Sequence, residues 1–452
     1  MAMRKKILLA VLVVLLAGAG YIYWQTRPDV ARLSNAELTG RVPVLSSPRP
    51  QAFPTVNIAP AVGWSGNGAP VAAPGLSVVA FASGLDHPRN LLVLPNGDVL
   101  VAESNSPPRA GGGITGWFAR RILGEAGAAV PSANRITLLR DGDGDGVAEV
   151  KRPIITGLNS PSGMALVGST LYIANTDALV AYDFDIATGS VRGAARKILD
   201  LPARGPNNHW AKSMVASADG NILYIAIGSN SNIGEGGMAW ERGRARILEV
   251  RPGQNYHRSY AEGLRNPSGL AIDPDTGHLW ANVNERDMLG SDMVPDYLTE
   301  VSLGDFYGWP WYYWGGFVDD RVKEQDYDDR RQYVVRPDYA LGAHVAPLGM
   351  SFANGANLGP SFSKGMFVAL HGSWNRAPRA GYKVVFVPFS AEGEPLDALP
   401  IDILTGFVNG AGQAMGRPAD AKVARDGALL IADDVGNRIW RVSRAATRQS
   451  SF

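Results

Sequence analysis

The chain has 452 residues, 46% of them hydrophobic, with 53 glycines, no cysteine and a formal net charge of +1. That length and apolar share can bury a large core, and so many glycines point to turns rather than long helices. The near-neutral balance and the lack of any basic patch with aromatic spacing exclude nucleic acid as a partner, while the missing cysteine excludes disulfides, thiolate metal sites and cysteine nucleophiles.

Arg4, Lys5 and Lys6 precede an almost unbroken apolar run over 7–20, and Tyr21, Tyr23 and Trp24 follow before Arg27. A basic flank, an apolar run of roughly eighteen residues and an aromatic girdle describe an export signal close to the minimum length of a membrane span. Residues 1–28 therefore read as an uncleaved signal anchor or as a signal peptide cleaved near 17–20, with a buried core helix as the plain alternative. Either of the first two puts the bulk of the chain on the periplasmic side, anchored to the inner membrane or secreted. Residues 29–74, rich in Pro, Ala, Ser and Gly, read as a tether or as a strap lying on the domain.

From Leu76 onward one grammar recurs six times. Copies begin at Gly84, Gly157, the stretch around His209, Gly263, Ala346 and Gly416. Each has a polar or Pro-containing entry loop, an apolar strand, a turn usually carrying Gly, and a second apolar strand. The third shows it most plainly: GPNNHW, a first run, Asp219-Gly220, then Leu223-Tyr224-Ile225-Ala226-Ile227. A spacing of roughly fifty to eighty residues leaves room for four strands per copy, so 75–446 reads as an all-β, six-bladed propeller behind an N-terminal hydrophobic helix, with a tail at 447–452. The lone strand at 76–81 and the last one at 437–442 predict a final blade closed by pairing the two ends of the domain.

Radial stacking brings the entry loops together at the mouth of the central channel. They carry His87, Arg89 and Asn90, then Asn159 and Ser160, then Asn207, Asn208 and His209, then Arg265 and Asn266, then His344, then Arg417. Histidine with several Arg and Asn suits an anionic, hydrogen-bonding ligand. No glycine fingerprint, P-loop or nucleophile elbow points to nicotinamide, flavin, phosphate or serine chemistry.

At these residues the chain resembles the glucose/sorbosone dehydrogenases that use pyrroloquinoline quinone (PQQ). The resemblance rests on Asn208-His209, the run from Gly263 to Leu270 (GLRNPSGL) and Tyr307-Gly308-Trp309-Pro310, and the run NERDMLGSDMVPDYLTEV from Asn284 is similar to the sorbosone branch. It covers about 76–442 and implies a PQQ-dependent oxidation of a sugar or aldose-like alcohol, with PQQ and Ca2+ as cofactors. The partners so implied are a small-molecule sugar and a quinone or cytochrome electron acceptor, besides the membrane at the N-terminal helix.

Carried over residue by residue, the resemblance makes His209 the general base and sets Arg265 and Asn266 against the quinone oxygens and the developing charge, with Asn208 beside them. Where the glucose enzyme has a lysine after Gly-Ser, this chain reads Gly372-Ser373-Trp374-Asn375-Arg376, so Arg376 substitutes. The last entry loop keeps Arg417 alone. Calcium falls to the backbone carbonyls of Glu285 and Arg286, with the Glu285 carboxylate as an added ligand. The residues themselves suggest a second calcium loop at Asp141, Asp143 and Asp145, against a solvated acidic hairpin. The aromatic block 309–316 reads either as a substrate wall or as packing between blades. A calcium-dependent lactonase and a non-catalytic propeller binding module are the alternatives in function.

Overall fold

Each of the six sequence copies forms the two inner strands of a four-stranded antiparallel sheet in the computed structural model, which describes residues 2–108, 121–324, 326 and 329–445. The expected tail at 447–452 lies outside the described residues. The innermost strands are Pro88–Val93, Met164–Val167, Met214–Ala216, Pro267–Ile272, Pro347–Phe352 and Pro418–Val423, opening blades 1 to 6 in turn. Blade 6 takes three strands from the end of the chain and its outermost, Leu76–Ser83, from the beginning, with Val78 opposite Val442 and Val79 opposite Arg441. The predicted closure is therefore the observed one: Arg438–Arg444 is paired on both sides, and Leu76–Ser83 gains a partner and forms the outer edge of the blade.

Sheets stacked round an axis are covered on both faces, which explains second strands buried at every position, such as Gly365–Leu370 and Leu429–Asp433. The core is a set of wedges between neighbouring blades rather than one mass. Phe367, Phe386 and Ile403 of blade 5 pack on Leu429, Ile431 and Trp440 of blade 6. Trp280, Leu298 and Tyr339 of blade 4 meet Met350, Phe352 and Val368 of blade 5 in the same way.

Alternation of strand direction fixes what each end of the channel carries. Loops entering each first strand share a face with the loops joining second to third strands; this is the mouth face. Turns within the first and the last strand pairs of each blade lie on the opposite face. Asp141, Asp143 and Asp145 sit there, in the turn joining Arg135–Arg140 to Val150–Ile155.

Residues 29–74 are a docked strap. Asp29 takes Arg49 at 2.7 Å, Arg49 also reaches Asp292 at 3.0 Å, and the Arg32 N–H donates to the same Asp292 carboxylate. Thr39–Gly40 adds an edge strand to blade 4 and Val71–Ala72 one to blade 5. Before it stands helix α1, Ala2–Thr26, whose window Met3–Tyr23 has mean hydropathy 2.2 and no part buried against the rest of the molecule. It is long and apolar enough to cross a membrane.

Candidate active site at the channel mouth

The entry loops of blades 3 and 4 and the first strands of blades 1, 4, 5 and 6 surround a cavity of about 150 Å3 lined by Arg89, Asn208, His209, Trp210, Asn266 and Ser268, among others. His209, Asn208 and Asn266, expected together from the sequence, do converge here. Close approach depends on Gly228, where a Cβ would stand 2.3 Å from Asn266 Oδ1 and 2.5 Å from His209 Cβ. Only glycine lets the two side chains share that corner.

The imidazole of half-buried His209 is oriented by Ser229, a residue with no sequence signal. Nδ1 lies 2.7 Å from the Ser229 carbonyl oxygen, which can only accept, so Nδ1 carries the proton. Nε2, left with its lone pair, has no hydrogen-bond partner among the described residues and belongs to a ring that lines the cavity. Ser229 N–H in turn donates to the Arg265 carbonyl at 2.7 Å, and its hydroxyl to Ser231 O at 2.6 Å, so one residue ties the His209 loop to the next blade. Buried Lys212 adds a second tie, its ammonium donating to Trp210 O at 2.9 Å and His209 O at 3.3 Å.

Burial, followed by the nearby Arg265 charge, holds the His209 imidazole well below its ordinary pKa, with Arg244 and Lys212 acting in the same sense. A neutral ring at physiological pH is the consequence.

The arginines are placed differently from the sequence-based expectation. Arg265 is 5% exposed and spends its guanidinium inward, on Asn232 O, Asn232 Oδ1 and Asn284 O, with Asp287 at 2.9 Å. Its charge is felt at His209, but its fork is not open to a quinone. Arg376 donates to Ser291 O, Pro378 O and Leu33 O, clamping the strap to the blade 4 and blade 5 loops, and lines no part of the cavity. Arg417 donates to Ala59 O and lies over the Tyr382 ring at 5.1 Å, while its buried Nε has no partner. The cation that does line the cavity is Arg89, which pairs with Asp434 at 2.6 Å and sits 5.8 Å over the Trp210 ring. Asp434 also meets His371 at 2.9 Å and His87 at 3.5 Å. Burial pushes the Asp434 carboxyl up, but His371, His87 and Arg89 outweigh it and hold the group well below the carboxylate range.

Glu285 and Arg286 form a buried pair at 3.0 Å, the guanidinium continuing to Pro310 O, Tyr312 O and Asp319. The Glu285 carboxylate is thus occupied, correcting its expected part as a free ligand, whereas the two carbonyl oxygens accept no hydrogen bond among the described residues. Arg286 lies 5.2 Å over Tyr313, and Trp309, Tyr312, Tyr313 and Trp314 are all buried. The aromatic block is packing, not a wall of this cavity.

Asp141, Asp143 and Asp145 do converge, and the Glu149 carboxylate joins them. Asp141, Asp143, Asp145 and Glu149 each accept backbone N–H groups of the same loop, so the hairpin is a self-capped acidic turn remote from His209.

The donor chemistry of the mouth fits a flat polyanion: Arg89 and the carboxamides of Asn90, Asn208 and Asn266 around a neutral imidazole, no carboxylate in the cavity lining, and an orphaned Arg417 Nε in the neighbouring entry loop.

Comparison with known proteins bears on the same region. A family model described as TrAA12-like matches residues 125–297 and 316–445. A pyrroloquinoline quinone-dependent pyranose dehydrogenase of Coprinopsis cinerea is 26% identical over 434 residues, covering 82% of this chain and 54% of that protein. The chain thus spans about half the length of that curated relative. The holo form of the C. cinerea pyranose dehydrogenase PQQ domain superposes with TM-score 0.64 and 23% identity, over 83% of this chain and 97% of that one. A calcium structure of the Trichoderma reesei carbohydrate-active enzyme of family AA12 gives TM-score 0.66 and 19% identity, over 86% and 99%. At these identities the superpositions establish a shared propeller.

Proposed function

The chain belongs to the TrAA12-like family, and from that premise we propose that it is a PQQ-dependent dehydrogenase acting on a sugar or aldose-like alcohol at the channel mouth. The observation that carries the reading is the His209 tautomer. Its Nδ1–H is committed to the Ser229 carbonyl, and Nε2 stands as an unprotonated acceptor in a cavity of cationic and amide donors.

When bound, the quinone supplies a two-electron sink for the hydride leaving the sugar carbon. His209 Nε2 takes the hydroxyl proton, a task suited to an imidazole that is neutral at working pH. Arg265, fixed by Asn232, Asn284 and Asp287, keeps that imidazole unprotonated rather than gripping the cofactor. Arg89, Asn208 and Asn266 offer the hydrogen bonds that would hold an acidic planar group, with Arg417 beside them. Calcium is assigned to the Glu285 and Arg286 carbonyl oxygens, since backbone oxygens suit a hard cation whatever the side chains do. The lactonase alternative needs several carboxylates round a channel ion, and the cavity lining has none.

In this reading α1 is retained as an anchor and the propeller lies on the periplasmic side. The test is reconstitution of the purified chain with PQQ and Ca2+, followed by dye reduction across aldoses, sorbosone and lactones. Turnover abolished in His209→Ala supports the proposal. Lactone hydrolysis without PQQ, or PQQ binding with no turnover on any substrate, overturns it.

A further inference from the structure

We infer that the mouth face of the propeller rests on the membrane surface, with the apolar side chains Val30, Phe53 and Val56 entering the lipid interface. The inference rests on the reading of α1 as a retained membrane anchor.

Helix α1 ends at Thr26, and Asp29 is already docked, its N–H donating to Thr55 Oγ1 at 2.8 Å and its carboxylate paired with Arg49. Only Arg27 and Pro28 lie between. At no more than ~3.6 Å per residue, the end of the helix cannot be farther than about 11 Å from Asp29. A flexible tether would let the propeller tumble beneath its anchor; this leash does not.

Asp29 is docked on the mouth face. Its carboxylate accepts the Ser291 N–H and its carbonyl the Ser291 hydroxyl. Ser291 belongs to the loop between the second and third strands of blade 4, which also carries Asp287, the partner of Arg265. Further strap contacts, the Ala31 N–H donating to Ala377 O at 2.7 Å and the Asn57 N–H to Trp374 O at 2.8 Å, lie on the equivalent loop of blade 5. Helix exit and active-site rim therefore share one end of the channel.

Apolar side chains stand exposed around the exit, beside the exposed Arg27 and Arg32. Val30, Phe53 and Val56 are 59%, 57% and 45% exposed and flank the Asp29–Thr55 bond within two residues on either strand of the strap. A phenyl ring and two branched side chains beside a helix exit suit the boundary between headgroups and acyl chains. A bilayer, rather than a protein, is the occupant favoured, because the helix delivers this patch to it. The cleft then opens toward the side on which any lipid-dissolved electron acceptor would lie.

The absence of native cysteine makes the test direct. The full chain is placed in phospholipid vesicles after fluorophore labelling at Ala52→Cys, beside Phe53, or at Ala218→Cys, in the exposed first turn of blade 3 on the opposite face. Nitroxide quenchers are carried on the lipid at the headgroup boundary. Quenching severalfold stronger at position 52 than at 218, and reduced when Phe53 and Val56 are changed to glutamate, is the expected result. Equal quenching at the two positions, or stronger quenching at 218, overturns the inference. Intact-mass measurement of the membrane-derived chain reports on the premise separately: a mature chain that has lost the apolar run over 7–20 has no anchor and ends the inference there.

Discussion

Replacing His209 tests the base and its environment together. General-base catalysis is worth about 10²–10⁴-fold, which at ~1.36 kcal/mol per tenfold is about 3–5 kcal/mol of barrier, so His209→Ala is expected to lower kcat by that range. A purely structural histidine would instead move KM or stability. The structure adds a sharper expectation. An ordinary imidazole near ~6.5 loses tenfold in neutral form per pH unit below that value, whereas burial and the Arg265 cation favour the neutral ring at His209. NMR titration of ¹³C-labelled histidines in the apoprotein, with the His209 signal assigned by its loss in His209→Ala, is expected to show this ring still neutral at pH 6. In Arg265→Gln its titration moves up, toward 6.5, because the largest charge acting on it is gone. A wild-type His209 titrating at 6.5 or above would refute the electrostatic argument, and a His209→Ala variant within tenfold of wild-type kcat would refute the base.

Buried His87 is pushed down to about 4, by burial first. Its folded pKa lies below the unfolded ~6.5, so its contribution is neutral above 6.5 and destabilising as pH falls toward 4, by at most about 3 kcal/mol. Urea midpoints measured across that window are expected to fall with acidification, and less so in His87→Asn, asparagine being tolerant of the φ of 53° at this position. Gly228→Ala forces Asn266 and His209 apart; PQQ affinity by equilibrium dialysis is expected to fall at least tenfold, at a stability cost of about 1–3 kcal/mol. Trp440, 1% exposed and edge-on to Trp64 with centroids 5.3 Å apart, closes the blade 5–6 wedge. Trp440→Ala is expected to cost about 3–5 kcal/mol, read as a lower urea midpoint with unchanged m.

The inner half of every blade was legible because its two strands are short, apolar and punctuated by turn residues at a regular spacing. The outer strands were harder to read. In blade 4 the third and fourth are separated by the excursion from Ser302 to Asp338, which no local pattern marks as an insertion. Convergence of Asn208, His209 and Asn266 followed from topology alone. The fates of Arg265, Arg376 and Arg417 did not, because a guanidinium in an entry loop has the same sequence signature whether it faces the channel or finds carbonyl oxygens behind it. Choosing between them takes the positions of Asn232, Ser291 and Ala59, which arrive from other loops or the strap. Ser229 and Lys212 were invisible for the same reason, acting through backbone oxygens that carry no side-chain code.

The ring is fastened by pairing its opening strand with its last one, Ser77 and Ser443 being 366 positions apart. On a ribosome the opening strand emerges first and its partner almost last, so for most of synthesis Leu76–Ser83 has no sheet to join. A nascent chain therefore carries an unsatisfied β edge through nearly its whole production. Truncation anywhere before Arg438 leaves that edge permanently open, so chopped transcripts or stalled translation should give insoluble material rather than a smaller working protein.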